Sequence, residues 1–190
     1  NGALSFKGIK SLCTIDSGSS YLTNKTELTM SVWAYSLGRD TNIVKTPFGA
    51  ICGIRNNVDA NFYILHGSTF SEYRYTGING LQYTASGSVA QNAWKHYLFV
   101  KKAETIEIYE NGILNLFNFS TTSPITIQNL PFNIGALSFN TDSFYYHGFI
   151  DDLGVWDRAL TPLEVHGLFK QTVGLPNSQK NNLDIQFYPN

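Results

Sequence analysis

Short runs of aromatic and β-branched residues recur along the whole chain, each bounded by Gly, Asn, Ser or Pro. Such residues suit the half-buried surface of a pleated sheet, and the residues between the runs favour turns. The clearest case is ETIEIY, where Ile106 and Ile108 alternate with other residues before the dipeptide Asn111-Gly112. This pattern predicts a strand with one solvent-facing side, followed by a tight hairpin. The chain is therefore expected to be all-β.

About a dozen such runs, with no long helical segments between them, predict an antiparallel two-sheet sandwich or jelly roll. No fixed-period repeat or internal linker divides the 190 residues, so one domain accounts for most of the length. One short helix of about two turns is predicted near the C-terminus, because Thr161, Pro162 and Glu164 form a capping box. Its side facing the sandwich is expected to consist of Val165, Leu168 and Phe169.

The composition argues against two classes of partner. Charged residues make up 14% of the chain and the formal net charge is -1, so the basic excess of a nucleic-acid-binding protein is missing. No apolar run approaches the roughly 20 residues of a membrane span, so membrane insertion is not expected.

Cys13 and Cys52 lack the spacing of a zinc or redox motif. They are either two buried thiols or one disulfide between neighbouring strands.

Several segments occur in an order that resembles a known family: ALSFKG, LTMSVWAY, WKHYLF, IYENG and finally GFIDDLGVWDRALTPLEV. From residue 3 to about residue 170, the chain resembles the laminin G-like, pentraxin-like branch of the concanavalin A-like lectin and glucanase superfamily. The resemblance implies a concanavalin A-like jelly roll over residues 1–170, with two antiparallel sheets and the short helix. The tail, residues 171–190, contains the alternating segment LDIQFY and could dock as an edge strand.

Two adjacent carboxylates, Asp151 and Asp152, interrupt the apolar strand GFIDDLGVW. Neighbouring strand positions point to opposite faces, so one carboxylate is expected to face the interior or a strand crossing, where it needs a partner. By resemblance to the glucanases, Asp151 would bind a structural Ca²⁺ together with backbone carbonyls of the N-terminal strand and turn. Here that turn carries Lys7 and Lys10, which argue against a cation. We predict Ca²⁺ at the two aspartates or, in its place, backbone hydrogen bonds or a lysine salt bridge.

An enzymatic site is not expected. Glucan hydrolases of the superfamily carry paired carboxylates on one face of a strand. Glu104, Glu107 and Glu110 are three residues apart and cannot all share a face, and their hairpin is expected to be exposed. The four histidines have no evident catalytic partners. Two are interpreted as structural, His96 and His147. The other two, His66 and His166, are interpreted as solvated.

Binding is the expected function. We predict a non-catalytic carbohydrate-binding or adhesion module, whose partner is a glycan or a cell-surface protein and which belongs to a larger extracellular or cell-surface protein. The alternative is a structural or protein-interaction domain without glycan specificity, for example on a virion surface. Aromatic faces hold sugars well, and strand alternation places two candidate tyrosines on one side of a strand with Arg74 on the other. The candidate ligand-binding residues are Tyr73, Tyr75, Tyr83, Tyr145 and Tyr146.

Overall fold

The computed structural model describes residues 2–38, 48–56, 61–76, 82–120, 122–125, 129–139, 142–174 and 186–188. Most of them belong to two antiparallel sheets, which confirms the predicted sandwich. The spatial order of the seven-stranded sheet is β1 (Leu4–Lys7), β14 (His147–Trp156), β3 (Leu28–Ser36), β8 (Trp94–Lys101), β9 (Thr105–Glu110) and β10 (Ile113–Phe119), with β15 (Gln186–Tyr188) parallel to β14. The order of the six-stranded sheet is β2 (Cys13–Ile15), β11 (Phe132–Ile134), β4 (Gly49–Arg55), β5 (Asn61–His66), β6 (Phe70–Thr76) and β7 (Gln82–Ser88).

Strands that neighbour each other in space are often distant in sequence. β14 lies between β1 and β3, and β11 lies between β2 and β4, as in a jelly roll. A separate hairpin, β12 (Ala136–Phe139) and β13 (Asp142–Tyr145), packs on the outer side of the six-stranded sheet through Leu137 and Phe144. The core lies between the sheets, where the Phe62 and Phe99 ring centroids are 4.9 Å apart. The tail strand β15 pairs with β14 on the same edge as β1, at the other end of the strand.

The helix α1 spans Pro162–Gly174 and covers the outer side of the seven-stranded sheet. Its N-terminus is the predicted capping box. The Glu164 carboxylate accepts a hydrogen bond from the Thr161 N–H at 2.8 Å, and the Thr161 hydroxyl accepts one from the Glu164 N–H at 3.3 Å. The helix has 13 residues and is longer than predicted. Phe169 packs on the sheet as expected, with its ring centroid 5.8 Å from that of Trp33. None of the described helices is long and apolar enough to cross a membrane.

β9 and β10 form the hairpin predicted from Asn111-Gly112. Both turn residues have a positive φ, 51° and 74°, as a tight turn between twisted strands requires. The predicted solvent-facing side of β9 is wrong, since Glu107 is only 8% exposed and Tyr109 only 4% exposed. The reason is tertiary: Tyr109 packs in a cluster with residues of α1 and its preceding turn, including Val165.

Cys13 and Cys52 are both free thiols. Cys13 pairs with Ile134 from one side and Cys52 pairs with it from the other, so two strand spacings separate the cysteines. That separation is about 9.5 Å, beyond the roughly 7 Å that a disulfide can bridge. Cys52 is fully buried, with its Sγ 3.2 Å from the Met30 Sδ.

Candidate functional site

Three of the five candidate tyrosines lie inside the core, so the prediction that they form an exposed binding surface is wrong. Tyr73 and Tyr75 are 0% exposed and Tyr146 is 1% exposed. The Tyr73 ring packs edge-on against Phe99 at 5.8 Å, and the Tyr75 hydroxyl donates a hydrogen bond to a backbone carbonyl at 2.6 Å. Tyr73 and Tyr75 occupy inward-facing positions of β6, and Tyr146, between β13 and β14, packs edge-on against Phe6. All three rings are buried because a large ring removes much apolar area from water.

The other two candidate tyrosines do not restore the predicted surface. Tyr145, in β13, is half-buried and pairs with Ala136. The backbone of Tyr83 pairs with that of Tyr75, but the Tyr83 side chain lies outside the described residues. Of the four candidate tyrosines whose side chains the structure describes, Tyr145 alone retains appreciable contact with solvent.

The outer side of β6 carries charged residues where its inner side carries tyrosines. Glu72 and Arg74 alternate with the buried rings and lie on the outer side of the six-stranded sheet. Arg74 Nη2 is 3.0 Å from Glu72 Oε1, and the Tyr63 hydroxyl donates to the same oxygen at 2.8 Å. Arg74 also lies over the Tyr63 ring, with its Cζ 5.7 Å from the ring centroid. We call the surface formed by Arg55, Tyr63, Glu72 and Arg74 the arginine face.

Arg55 joins the arginine face from the last position of β4. It is half-buried, and burial is the main cause that lowers the pKa of its guanidinium. The neighbouring Arg74 also lowers that pKa, while Tyr63 and Glu72 oppose the shift. Burial, followed by the Glu72 carboxylate, raises the pKa of Tyr63, so its hydroxyl stays protonated and remains a donor. The described residues of this surface thus hold two guanidinium groups and one carboxylate.

The arginine face lies on the inner strands β4, β5 and β6 of the six-stranded sheet. Backbone pairing connects four residues in neighbouring strands, in the order Asn133, Gly53, Tyr63 and Arg74. Gly53 has a φ of 139°, and a Cβ at this position would lie 2.3 Å from the Phe62 carbonyl oxygen. The position therefore requires glycine, which leaves the sheet without a side chain next to Tyr63.

The sequence analysis missed this surface although it singled out the right strand. Alternation in SEYRYT shows that Arg74 faces away from the two tyrosines, but it does not show which set faces inward. The available signal was the size of the side chains. Burying two tyrosine rings is favourable, whereas burying an arginine requires a partner for its charge.

Asp151 and Asp152 form a β-bulge. The register against β3 shifts between Asp151 and Gly154, and Asp152 has a φ of 46°. The Asp151 carboxylate accepts a hydrogen bond from the Asp152 N–H at 2.9 Å. Asp151 is half-buried opposite Trp33 and Asp152 is exposed, so the expectation that one of them faces the interior is wrong. The extra residue of the bulge interrupts the alternation on which that expectation rested.

Ca²⁺ at Asp151 and Asp152 stays a prediction. The ion takes about six to eight oxygen ligands. No group of three or more His, Cys, Asp or Glu side chains that could hold a metal occurs among the described residues. Backbone carbonyls would therefore have to supply most of the ligands. Lys7 and Lys10 are exposed, and no ion pair within the described part of the chain joins either of them to Asp151.

Two of the three hairpin glutamates, Glu107 and Glu110, are buried on opposite faces of the seven-stranded sheet, and each forms an ion pair with a lysine. Glu110 lies between the sheets, with its Oε2 2.6 Å from Lys95 Nζ. Glu107 lies on the outer side and accepts a hydrogen bond from the Tyr109 hydroxyl at 2.8 Å. The expected exposure of these side chains is thus wrong except at Glu104. The separation across the sheet rules out Glu107 and Glu110 as a carboxylate pair acting on one substrate.

His66 is buried, so its expected solvation is wrong. It is 3% exposed, and its ring centroid lies 4.8 Å from that of Tyr97 and 5.7 Å from that of Tyr146. Neither ring nitrogen has a hydrogen-bond partner among the described residues. Burial, followed by the charge of Lys95, lowers the pKa of His66 to about 3, so the ring is neutral near pH 7. The side chain is part of the packing between the sheets.

A concave surface lies between α1 and the end of β14. Its guanidinium, from Arg158, lies 3.1 Å and 2.6 Å from the two carboxylate oxygens of Glu164. The two charges neutralise each other. The cavity has a volume of about 240 Å³ and is lined by Trp156, Arg158, Leu160, Glu164, Gly167 and Leu168.

A family model described as concanavalin A-like lectin/glucanases superfamily matches residues 8–166. The human adhesion G-protein coupled receptor D1 is 31% identical to the chain over 103 residues, which is 53% of this chain and 12% of the receptor. The match therefore spans a small part of that relative's length.

Two solved structures with the same fold are domains of larger proteins. The botulinum neurotoxin serotype G binding domain has a TM-score of 0.70 and 13% identity, over 88% of this chain and 42% of that chain. Domain 4 of AbnA, an extracellular arabinanase from Geobacillus stearothermophilus solved in complex with arabinotriose, has a TM-score of 0.67 and 17% identity. That match covers 87% of this chain and 75% of the AbnA chain. At such identities the similarity shows a shared fold.

Proposed function

The chain belongs to the concanavalin A-like lectin/glucanase superfamily, and we propose that it is a non-catalytic module that binds a carbohydrate on the arginine face. The observation that carries this proposal is the pair of guanidinium groups held on the outer side of the sheet. Arg74 is fixed between the Tyr63 ring and the Glu72 carboxylate, and its side chain keeps 24% of its surface exposed. A donor group that is already ordered loses little entropy when a ligand binds.

The chemistry of the arginine face suits a sugar. A guanidinium presents several N–H donors in one plane and can bind two acceptor oxygens together. The AbnA domain, solved with arabinotriose, supports carbohydrate binding on this fold. The adhesion receptor supports an extracellular module of a larger protein, because the aligned region makes up 12% of that receptor.

The proposal is tested by screening the protein on a glycan array and repeating the screen with Arg74→Ala. We expect saturable binding that falls at least tenfold in the variant. Arg158→Ala is the matched control, because Arg158 also pairs with a glutamate and is partly exposed, but lies beside α1 on the other sheet. Equal losses in both variants, or no binding to any glycan, would overturn the proposal.

A protein-interaction domain is the second candidate, and the edge strand β10 favours it. Ile113, Leu114, Phe117 and Phe119 in this strand are 49–73% exposed. Residues 111–141 contain no Asp, Glu, Lys, Arg or His, so the strand lacks the charges that usually prevent edge-to-edge pairing. If this candidate is right, glycan arrays stay silent. Phe117→Asp then abolishes binding to a protein partner that Arg74→Ala still binds.

A further inference from the structure

We infer that the edge strand β10 pairs antiparallel with β10 of a second copy of this chain, so that the protein forms a twofold-symmetric dimer. The inference is independent of the carbohydrate site, because the arginine face lies on the other sheet. β10 is the last strand of the seven-stranded sheet and pairs with β9 on one side. Among the described strands, none pairs with its other side.

β10 has neither the charges nor the short length that protect many edge strands. The opposite edge of the same sheet is protected in this way, because β1 has four residues and ends at the exposed Lys7. β10 has seven residues, and residues 111–141 contain no charged side chain. Phe117 and Phe119 of β10 are 50% and 73% exposed, and their ring centroids are 5.9 Å apart. This edge therefore exposes aromatic area together with unpaired backbone.

The backbone of β10 has the phase that a symmetric pair requires. The hydrogen bond of 2.7 Å from the Ser120 N–H to the Glu104 carbonyl shows which residues face β9. Because backbone groups alternate along an antiparallel strand, Asn118 faces β9 as Ser120 does, whereas Phe117 and Phe119 turn their backbone groups away. The register irregularity of β10 lies earlier in the strand and does not interrupt this stretch.

A twofold axis at Asn118 would place Phe117 opposite Phe119 of the second copy. These two residues would then exchange backbone hydrogen bonds, and their rings would meet on the same side of the joined sheet. The Phe119 N–H donates to the Asn118 side chain at 2.8 Å in the single chain. In the dimer, that N–H would donate to the Phe117 carbonyl of the second copy instead.

The uncharged sequence of β10 favours a second copy over a strand of a different protein. A twofold axis brings β10 against itself, so a charge in this strand would lie close to a like charge of the second copy. A strand of another protein imposes no such condition. Glu107, which lies opposite Phe117 in β9, is paired with Lys102. The net charge of -1 leaves little repulsion between whole copies.

The first test is sedimentation velocity over micromolar to millimolar concentrations. The protein is produced without N-glycans, because Asn118-Phe119-Ser120 matches a glycosylation acceptor. One pair of strands buries less than the roughly 1,200 Å² of a standard interface, so we expect a weak, concentration-dependent dimer. Phe117→Asp is expected to weaken it at least tenfold. Leu163→Asp is the matched control, because Leu163 is 81% exposed but lies on α1, and we expect no effect.

The second test examines the register. In the inferred dimer Asn118 lies opposite its own copy in a non-hydrogen-bonded pair, with Cα atoms about 4.5 Å apart, which a disulfide can span. Asn115, three residues earlier, would lie about 20 Å from its copy. Both residues are changed to Cys in a Cys13→Ser background, because Cys13 is a half-buried free thiol. On mild oxidation, Asn118→Cys is expected to form a cross-linked dimer and Asn115→Cys is not.

The inference is overturned if the parent protein stays monomeric at millimolar concentration or forms species larger than a dimer. It is also overturned if Phe117→Asp and Leu163→Asp weaken the dimer equally, or if the two cysteine variants cross-link equally. Melting temperatures within about 2 °C of the parent protein, measured at micromolar concentration, exclude unfolding as the cause. These results leave the carbohydrate site untouched, since the glycan array tests that site separately.

Discussion

Lys95 and Glu110 form an ion pair between the two sheets, and we expect Lys95→Met to destabilise the protein strongly. The Nζ and Oε2 atoms are 2.6 Å apart, and the two side chains are 10% and 9% exposed. Glu110 also accepts hydrogen bonds from the Ser88 N–H at 2.9 Å and from the Ser88 hydroxyl at 3.1 Å, which joins β9 to β7. Methionine has a similar length, so the substitution removes the charge and still fills most of the space.

Removing one partner of a buried ion pair costs about 3–5 kcal/mol, because the other charge stays buried without compensation. Here Ser88 and, at 3.4 Å, the Ser71 hydroxyl continue to donate to Glu110, so we expect the lower end, about 3 kcal/mol. For a domain of this size that corresponds to a melting temperature about 6–12 °C lower. Combining Lys95→Met with Glu110→Gln removes both charges. The double variant should therefore cost about 1–2 kcal/mol less than the sum of the two single variants.

The assay is urea unfolding followed by circular dichroism, with thermal melts alongside. Lys25→Met serves as the control, since Lys25 is 2.8 Å from Asp157 but its side chain is 41% exposed. Water screens the charge of the exposed lysine, so we expect this pair to contribute less than the Lys95 pair, about 1 kcal/mol, although the Asp157 side chain is only 10% exposed. The reasoning is refuted if Lys95→Met costs no more than Lys25→Met, or if the two single changes add up fully in the double variant.

Three further predictions concern pH and metal. Burial lowers the pKa of His66 in the folded protein to about 3. As the pH drops below about 6.5, His66 is protonated in the unfolded chain but stays neutral in the folded chain. Stability should fall between pH 6.5 and 3, and unfolding curves of His66→Phe should show a smaller fall; an unchanged fall contradicts this. Hydrogen bonds from Arg158 and from the Thr161 N–H lower the pKa of Glu164 to about 2, so its contribution is complete above about pH 4.5 and lost towards pH 2. Glu164→Gln should therefore cost about 1 kcal/mol at pH 7 and nothing near pH 2, and a pH-independent cost would rule out the ionised cap. If Ca²⁺ binds at Asp151 and Asp152, EDTA lowers the melting temperature by several degrees, and added Ca²⁺, but not Mg²⁺, restores it. An unchanged melting temperature in EDTA would contradict Ca²⁺ binding.

Features that depend on neighbouring residues in the chain were predicted well. The capping box of Thr161 and Glu164 forms because its partners are three residues apart. The hairpin at Asn111-Gly112 forms because these two residues adopt positive φ at little cost. The order of such signals carried the resemblance to the concanavalin A-like superfamily, which the family match over residues 8–166 confirms.

Features that depend on what packs against a strand were predicted poorly. Glu107 and Tyr109 alternate with Ile106 and Ile108 as in a half-exposed strand, yet Tyr109 packs with the α1 cluster and both polar positions are buried. The bulge at Asp151 likewise depends on the register against β3, which neither strand specifies alone.

The sequence by itself determined where strands, turns and the helix cap occur, because those choices follow from backbone preferences over a few residues. It also determined that Arg74 and the two tyrosines beside it lie on opposite faces of β6. Which face is the core was decided by tertiary structure, since alternation is symmetric and only the second sheet removes one face from water. That choice buried the tyrosines that were expected to bind a ligand, and it left Arg74 and Glu72 on the outer surface.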